Sequence, residues 1–211
     1  EKLVMFDDNI IINTQRIKMI KSSRIILNDI ALQITKGLTI ITGSNGAGKS
    51  TLLKILGNLS RPTSGKVFYS DNIYINYSSF MFQEPIFLNR SVNDNLQHAL
   101  KFYNNSNINY ENQINEYLDM FNVHYLKYSF PKNMSTGEKK IISYIRSILV
   151  NPSMIFLDEP CANLDVNYQK LISSYINNLS EKIPTVVVSH YDELNLYNAS
   201  KIYKLENSRV V

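Results

Sequence analysis

The sequence predicts an α/β fold, a mainly parallel sheet covered by helices. Three short apolar runs carry that prediction: 38–42 (LTIIT), 154–157 (MIFL) and 185–189 (TVVVS). They are rich in β-branched residues and too short for buried helices, so they read as strands inside a sheet. Between them lie longer stretches with apolar residues three and four apart, the period of a helix. Strands alternating with helices imply parallel pairing. A glycine-bearing turn, 43–48, follows the first run and leads into the helical stripe Leu52, Leu53, Ile55, Leu56.

Taken in order, residues 24–35 (RIILNDIALQIT) mix alternating and β-branched apolar positions, as strands do. Gly37 punctuates before the first buried run. A helix starting at Lys49 extends to about residue 59, with Gly57 near its end. After the turn 61–65 (RPTSG), KVFYS and NIYINYSS read as two more strands. From Ser91 the texture becomes polar, with Leu, Tyr, Phe and Ile at helical spacing. This is a helical subdomain of about 91–150, interrupted by an Asn-rich loop at 104–109 and closing with a helix from near Gly137 to about Leu149. A last helix, 166–180, connects the second and third runs. With no internal repeat, 1–211 reads as one domain rather than two fused copies.

A chain of 211 residues suits one domain with a sizeable core. Its 44% apolar and 19% charged residues are those of an ordinary globular protein and exclude whole-chain disorder. No run of about 18 apolar residues exists, so no helical membrane span is expected. The start, EKLVMFDDN, lacks the basic-then-apolar layout of a signal peptide, which predicts a cytosolic chain. The lone Cys161 excludes an internal disulfide framework and a Cys-rich zinc site; without a basic neighbour it reads as a small apolar filler. The net charge of +4, spread without a dense Lys/Arg run, describes a solvated surface compatible with phosphate ligands.

The chemistry starts at Gly43-Ser44-Asn45-Gly46-Ala47-Gly48-Lys49-Ser50, a full match to G-x-x-x-x-G-K-[ST], with Thr51 next. Its glycines let successive backbone N–H groups face one phosphate, and the helix behind adds the positive end of its dipole. In this pattern Lys49 reaches the β and γ phosphates and the Ser50 hydroxyl ligates Mg²⁺. The second element is the run 154–157 followed by two carboxylates. Asp158 is placed to hold Mg²⁺ and Glu159 to polarise the attacking water as a general base.

Four further elements make a family resemblance. Met134-Ser135-Thr136-Gly137-Glu138 resembles the LSGGQ signature of ATP-binding-cassette (ABC) ATPases. Asn163-Leu164-Asp165 is similar to that family's D-loop, His190 to its switch histidine, and Gln83 within 82–85 (FQEP) to its Q-loop. The six elements stand in the family's order and span nearly the whole chain. The resemblance implies a P-loop NTPase core of mainly parallel sheet, with an antiparallel β subdomain and a helical subdomain. It also implies a dimer, expected here as a homodimer, with ATP between the P-loop of one copy and Ser135, Thr136, Gly137 and Glu138 of the other. His190 would contact the γ-phosphate, Gln83 would touch Mg²⁺ and relay the nucleotide state, and Asp165 would line the dimer interface. A separate integral membrane permease would be the second partner, with the chain peripheral on the cytoplasmic face of the inner membrane and no nucleic acid involved.

Within the family, the stretch 82–92 is similar to importer cassettes, including those for tungstate and related oxyanions. A heme-exporter-type cassette and a soluble ABC ATPase without transport are the alternatives. Thr136 stands where the family has glycine, and Glu138 where glutamine is commoner. The aromatic that usually stacks on adenine is missing: residues 9–42 contain no Phe, Tyr or Trp. Met19, Ile20 or Lys21 would have to substitute, or Phe6 from outside that window.

Overall fold

The computed structural model describes residues 9–104 and 109–211. Phe6 and residues 105–108 of the Asn-rich loop lie outside the described residues. The chain runs through β1 (Ile10–Lys21), β2 (Arg24–Ile30), β3 (Gln33–Thr35), β4 (Leu38–Gly43), α1 (Lys49–Leu56) and β5 (Ser64–Tyr69). It continues through α2 (Ile73–Asn76), β6 (Ser78–Met81), α3 (Val92–Asn104), α4 (Glu111–Met120), α5 (Thr136–Leu149) and β7 (Met154–Asp158). It closes with α6 (Val166–Ser180), β8 (Thr185–Val188), β9 (Lys201–Glu206) and β10 (Arg209–Val210).

Two sheets form. The larger has the order β10-β9-β4-β8-β7-β6, with β9, β4, β8, β7 and β6 mutually parallel and β10 antiparallel at one edge. Every residue of β4, β7 and β8 is buried, as expected of strands covered on both faces. The smaller sheet is antiparallel: β1 pairs with β2 and β3, and also with β5. The expected architecture is present, an α/β core beside an antiparallel sheet and a group of helices.

Side chains alternate across the larger sheet and divide the core. Ile155, Leu157 and Val187 face one apolar cluster with the helices α3, α4, α5 and α6. Met154, Phe156, Val186 and Val188 face a second cluster, with α1 and the antiparallel sheet. Each strand therefore delivers its C-terminal end to a fixed point between two packed layers.

One expectation needs correction. The segment NIYINYSS is not a single strand. Asp71 Oδ1 accepts the Ile73 N–H at 2.8 Å and starts a helical turn, α2, whose Ile73 stays exposed; extended backbone begins at Ser78. Alternating isoleucines suggest a strand, but Ile73 finds no covering surface and a local hydrogen bond decides.

Candidate functional site

The larger sheet places the site at the C-terminal ends of β4, β7 and β8. Gly43 ends β4 at φ +150 with its Cα against β9, where an added Cβ would lie 2.2 Å from the Leu205 carbonyl oxygen. The loop then turns on a bond from Ala47 N–H to Ser44 O and enters α1 at Gly48, whose φ of +101 no L side chain adopts comfortably. No side chain caps α1 and no acidic residue occupies its first turn, so its leading N–H groups remain available to an anion. Lys49 is buried and donates to Gly43 O (2.8 Å) and Ser44 O (3.1 Å), which leaves one of its three donors for the cleft.

β7 brings the carboxylates. Ser50 Oγ donates to Asp158 Oδ1 at 3.0 Å. Burial raises the Asp158 pKa above the usual carboxylate range, Ser50 opposes that shift, Glu159 adds to it, and Lys54 and Lys49 counter it. Glu159 sits at φ +52, a conformation that costs about 1–3 kcal/mol for a residue with a side chain. Its N–H donates to Val188 O of β8 at 3.0 Å. Its carboxylate is held from two sides: Gln83 Nε2 donates to Oε2 at 2.8 Å, and His190 Nε2 stands 3.2 Å from Oε1. The family model described as ABC transporter matches residues 27–162. The chain belongs to the ABC transporter family.

Individual relatives agree with that membership. The zinc import ATP-binding protein ZnuC of Buchnera aphidicola is 32% identical over 205 residues, covering 94% of this chain and 82% of its own length. The sulfate/thiosulfate import ATP-binding protein CysA of Mesostigma viride is 29% identical over 197 residues, covering 85% of this chain. The cassette matches only 57% of that relative's length. In fold it resembles a dimeric ATP-binding cassette in a post-hydrolysis state bound to ADP and Pi, with a TM-score of 0.80 at 22% identity over 94% of this chain and 96% of that one.

In this cassette the sequence-predicted residues fall into three groups. Asn45, Gly46, Gly48, Lys49, Ser50 and Thr51 share one cleft of about 850 Å³ with Gln83, Glu159 and His190. Gly43, Ser44, Ala47 and Asp158 do not line it, although Gly43, Ser44 and Asp158 bond to Lys49 and Ser50, which do. Residues 135–138 and Asp165 are not among its lining. Ser135 caps α5 instead: its Oγ accepts the Glu138 N–H (3.2 Å), and Glu138 Oε2 accepts the Ser135 N–H (2.7 Å). Tyr125 donates to the other Glu138 oxygen at 2.9 Å. Gly137 faces Leu164, and Asp165 caps α6 by accepting the N–H groups of Asn167 and Tyr168.

Sequence reasoning missed several residues. Of the three candidates for the adenine side, Lys21 lines the cleft, joined by the unforeseen Ile26. Ile20 instead donates its N–H to Thr63 Oγ1 at 2.9 Å, and Met19 Sδ accepts from the same hydroxyl. Glu193 also lines the cleft, buried, with its Oε2 accepting from Ser189 Oγ at 2.6 Å. Its signal was faint, a glutamate three residues after His190.

Proposed function

We propose that this chain binds Mg-ATP and hydrolyses it as one of a pair of identical cassettes, driving import through a separate membrane subunit at the cytoplasmic face of the membrane. One observation carries the reading: a carboxylate on strained backbone, gripped by Gln83 and His190, opens onto the same cleft as the phosphate loop. Glu159 is the group that takes a proton from water, and His190 and Gln83 hold it in aim. Lys49 and the leading N–H groups of α1 bind the phosphates. Ser50 and Asp158, with Gln83, offer the oxygen donors that suit Mg²⁺, an ion that keeps water and substrate phosphates as most of its ligands. Among the described residues no cluster of three or more His, Cys, Asp or Glu can hold a metal alone, which fits an ion that arrives with nucleotide. When bound, Mg²⁺ neutralises charge developing on the phosphate oxygens.

Dimerisation is supported by the exposure of Ser135 and Thr136 at the head of α5, away from the chain's own cleft. In the capped state Ser135 Oγ accepts the Glu138 N–H and its hydroxyl also supports the Glu138 carboxylate, so donation to a γ-phosphate of the second copy requires that hydroxyl to turn outward. Among the described residues no helix is long and apolar enough to cross a membrane. A separate spanning subunit is supported by the relatives named as import ATP-binding proteins. For the solute, the sulfate/thiosulfate relative supports an oxyanion such as tungstate, whereas the zinc relative supports a cation. Co-purification of the integral partner decides between them.

The test of the central reading is Glu159→Gln with nucleotide present. Loss of a general base costs about 10²–10⁴ in rate, while binding survives because the carboxylate acts on water. Sizing chromatography in Mg-ATP should then show a trapped dimer. Wild-type turnover in the variant removes Glu159 from its role.

A further inference from the structure

Beneath the cleft lies a cation that the phosphate chemistry does not use. Lys140 sits one turn into α5, 4% exposed, among Ile141, Ile142 and Ile145 of the same helix, all buried. Its Nζ donates to the carbonyl oxygens of Glu159 and Ala162, both at 2.8 Å. An ammonium withdrawn from water is tolerated only where fixed acceptors replace its hydration, and a packing role alone would be filled by a leucine or methionine. Burial pulls its pKa below the usual lysine range, opposed first by Glu159 and then by Glu193, Cys161 and Asp158.

The segment that Lys140 holds is weakly supported by its own backbone. Glu159 and Asn163 both have positive φ, +52 and +61. The bonds internal to the turn are long, Ala162 N–H to Glu159 O at 3.4 Å and Leu164 N–H to Cys161 O at 3.3 Å. Two charge-assisted bonds to carbonyls three residues apart fix what those contacts leave loose. We propose that Lys140 is a positioning residue for hydrolysis: carried on the helix that bears Ser135 and Gly137, it sets the backbone of 159–162 and so the aim of Glu159. The proposal rests on Glu159 being the hydrolytic carboxylate. It also makes α5 a link between two sites, because the helix whose head faces a second copy's nucleotide holds this chain's own carboxylate from behind.

Lys140→Met keeps length and apolar packing and removes the donors; Lys140→Arg keeps a charged donor. Steady-state ATPase, nucleotide titration and amide hydrogen exchange are measured on each. In Lys140→Met, kcat should fall by about tenfold to a hundredfold, the scale on which misplacing a reacting group by about 1 Å acts, with nucleotide affinity unchanged within about twofold. Exchange of the Ala162 and Leu164 amides should quicken while β7 stays protected, and Lys140→Arg should recover part of the rate. Wild-type kcat in Lys140→Met overturns the proposal, as does unchanged exchange at those two amides. A parallel loss of kcat and affinity that arginine does not relieve marks a merely structural lysine and overturns it too. If Lys140→Met fails to fold, Lys140→Gln carries the same measurements. An inactive wild type would sink the hydrolysis reading instead, and the exchange result would still decide whether Lys140 holds the turn.

Discussion

Cys161 stands two residues past Glu159, fully buried, with Sγ 3.8 Å from the Gln169 carbonyl oxygen. Burial pushes its pKa up to about 11, so the nucleophilic thiolate is scarce at physiological pH. The thiol should therefore react with a disulfide reagent at least about a hundredfold more slowly in the native protein than in denaturant at pH 8. Fast native labelling would show that the turn opens far more readily than its burial implies. At this scale, legibility followed motif membership. Lys49, Ser50, Asp158 and Glu159 were readable because each belongs to a short motif whose contiguous residues are themselves the signal, even though Ser50 meets Asp158 only through the fold. Lys140 and Ile26 were not, because each meets the site only through tertiary packing, and Glu193 was not because it stands outside every motif although its bonds to Ser189 and His190 are local. A lysine in the middle of a helix gives no sign that its ammonium will be buried.

The head of α5 is the element whose chemistry departs most from the family pattern, and the structure gives Glu138 a local task. Its carboxyl is held below the usual glutamate range first by the Ser135 N–H, with Tyr125 and the Ser135 hydroxyl helping and desolvation opposing. A depressed carboxylate adds stability that is present above its unfolded pKa and is lost as pH falls through the lower folded value. The window thus lies below the ordinary value of 4.5. Glu138→Gln retains an acceptor for the Ser135 N–H without titrating. The melting temperature of wild type relative to this variant should be constant above about pH 5.5 and fall below about pH 4.5. A constant difference down to about pH 3 would remove the capping carboxylate from the account. Ser135→Ala should cost about 0.5–2 kcal/mol by loss of the cap. The helices α5 and α6 and the strands β4, β7 and β8 were legible because each has a clean period and a clear start. β1 was not. Its central NTQR is polar, and a positive φ at Arg16 shifts the alternation, so its isoleucines fall out of a single register. β9 and β10 also went unread; their turn, Asn207-Ser208, has positive φ at both residues without a glycine to announce it.

For the molecule as a whole, the parallel core and its helical cover followed from the order of the apolar runs, whereas the antiparallel sheet depended on pairings that no local pattern reveals. The cleft it helps to wall is lined by Lys21 and Ile26 and, among the described residues, by no Phe, Tyr or Trp. Stacking contributes about 1–3 kcal/mol to any base and discriminates poorly between purines, so the missing ring should weaken both nucleotides and leave affinities for ATP and GTP within about tenfold of each other. Lys21→Tyr should tighten both. Competition titrations check this, and a strong preference for ATP in the wild type would mean that another group recognises the purine. The strand order carries a last consequence, for the making of the protein. β4, which presents the phosphate loop, is flanked on one side by β8 (Thr185–Val188) and on the other by β9 (Lys201–Glu206). A ribosome adding about 5–20 residues per second leaves that strand without either neighbour for roughly 7–28 seconds. Until residues 185–206 are made, the nascent protein carries the phosphate-loop sequence on a strand without its flanking neighbours, so a copy truncated before β8 should bind nucleotide poorly.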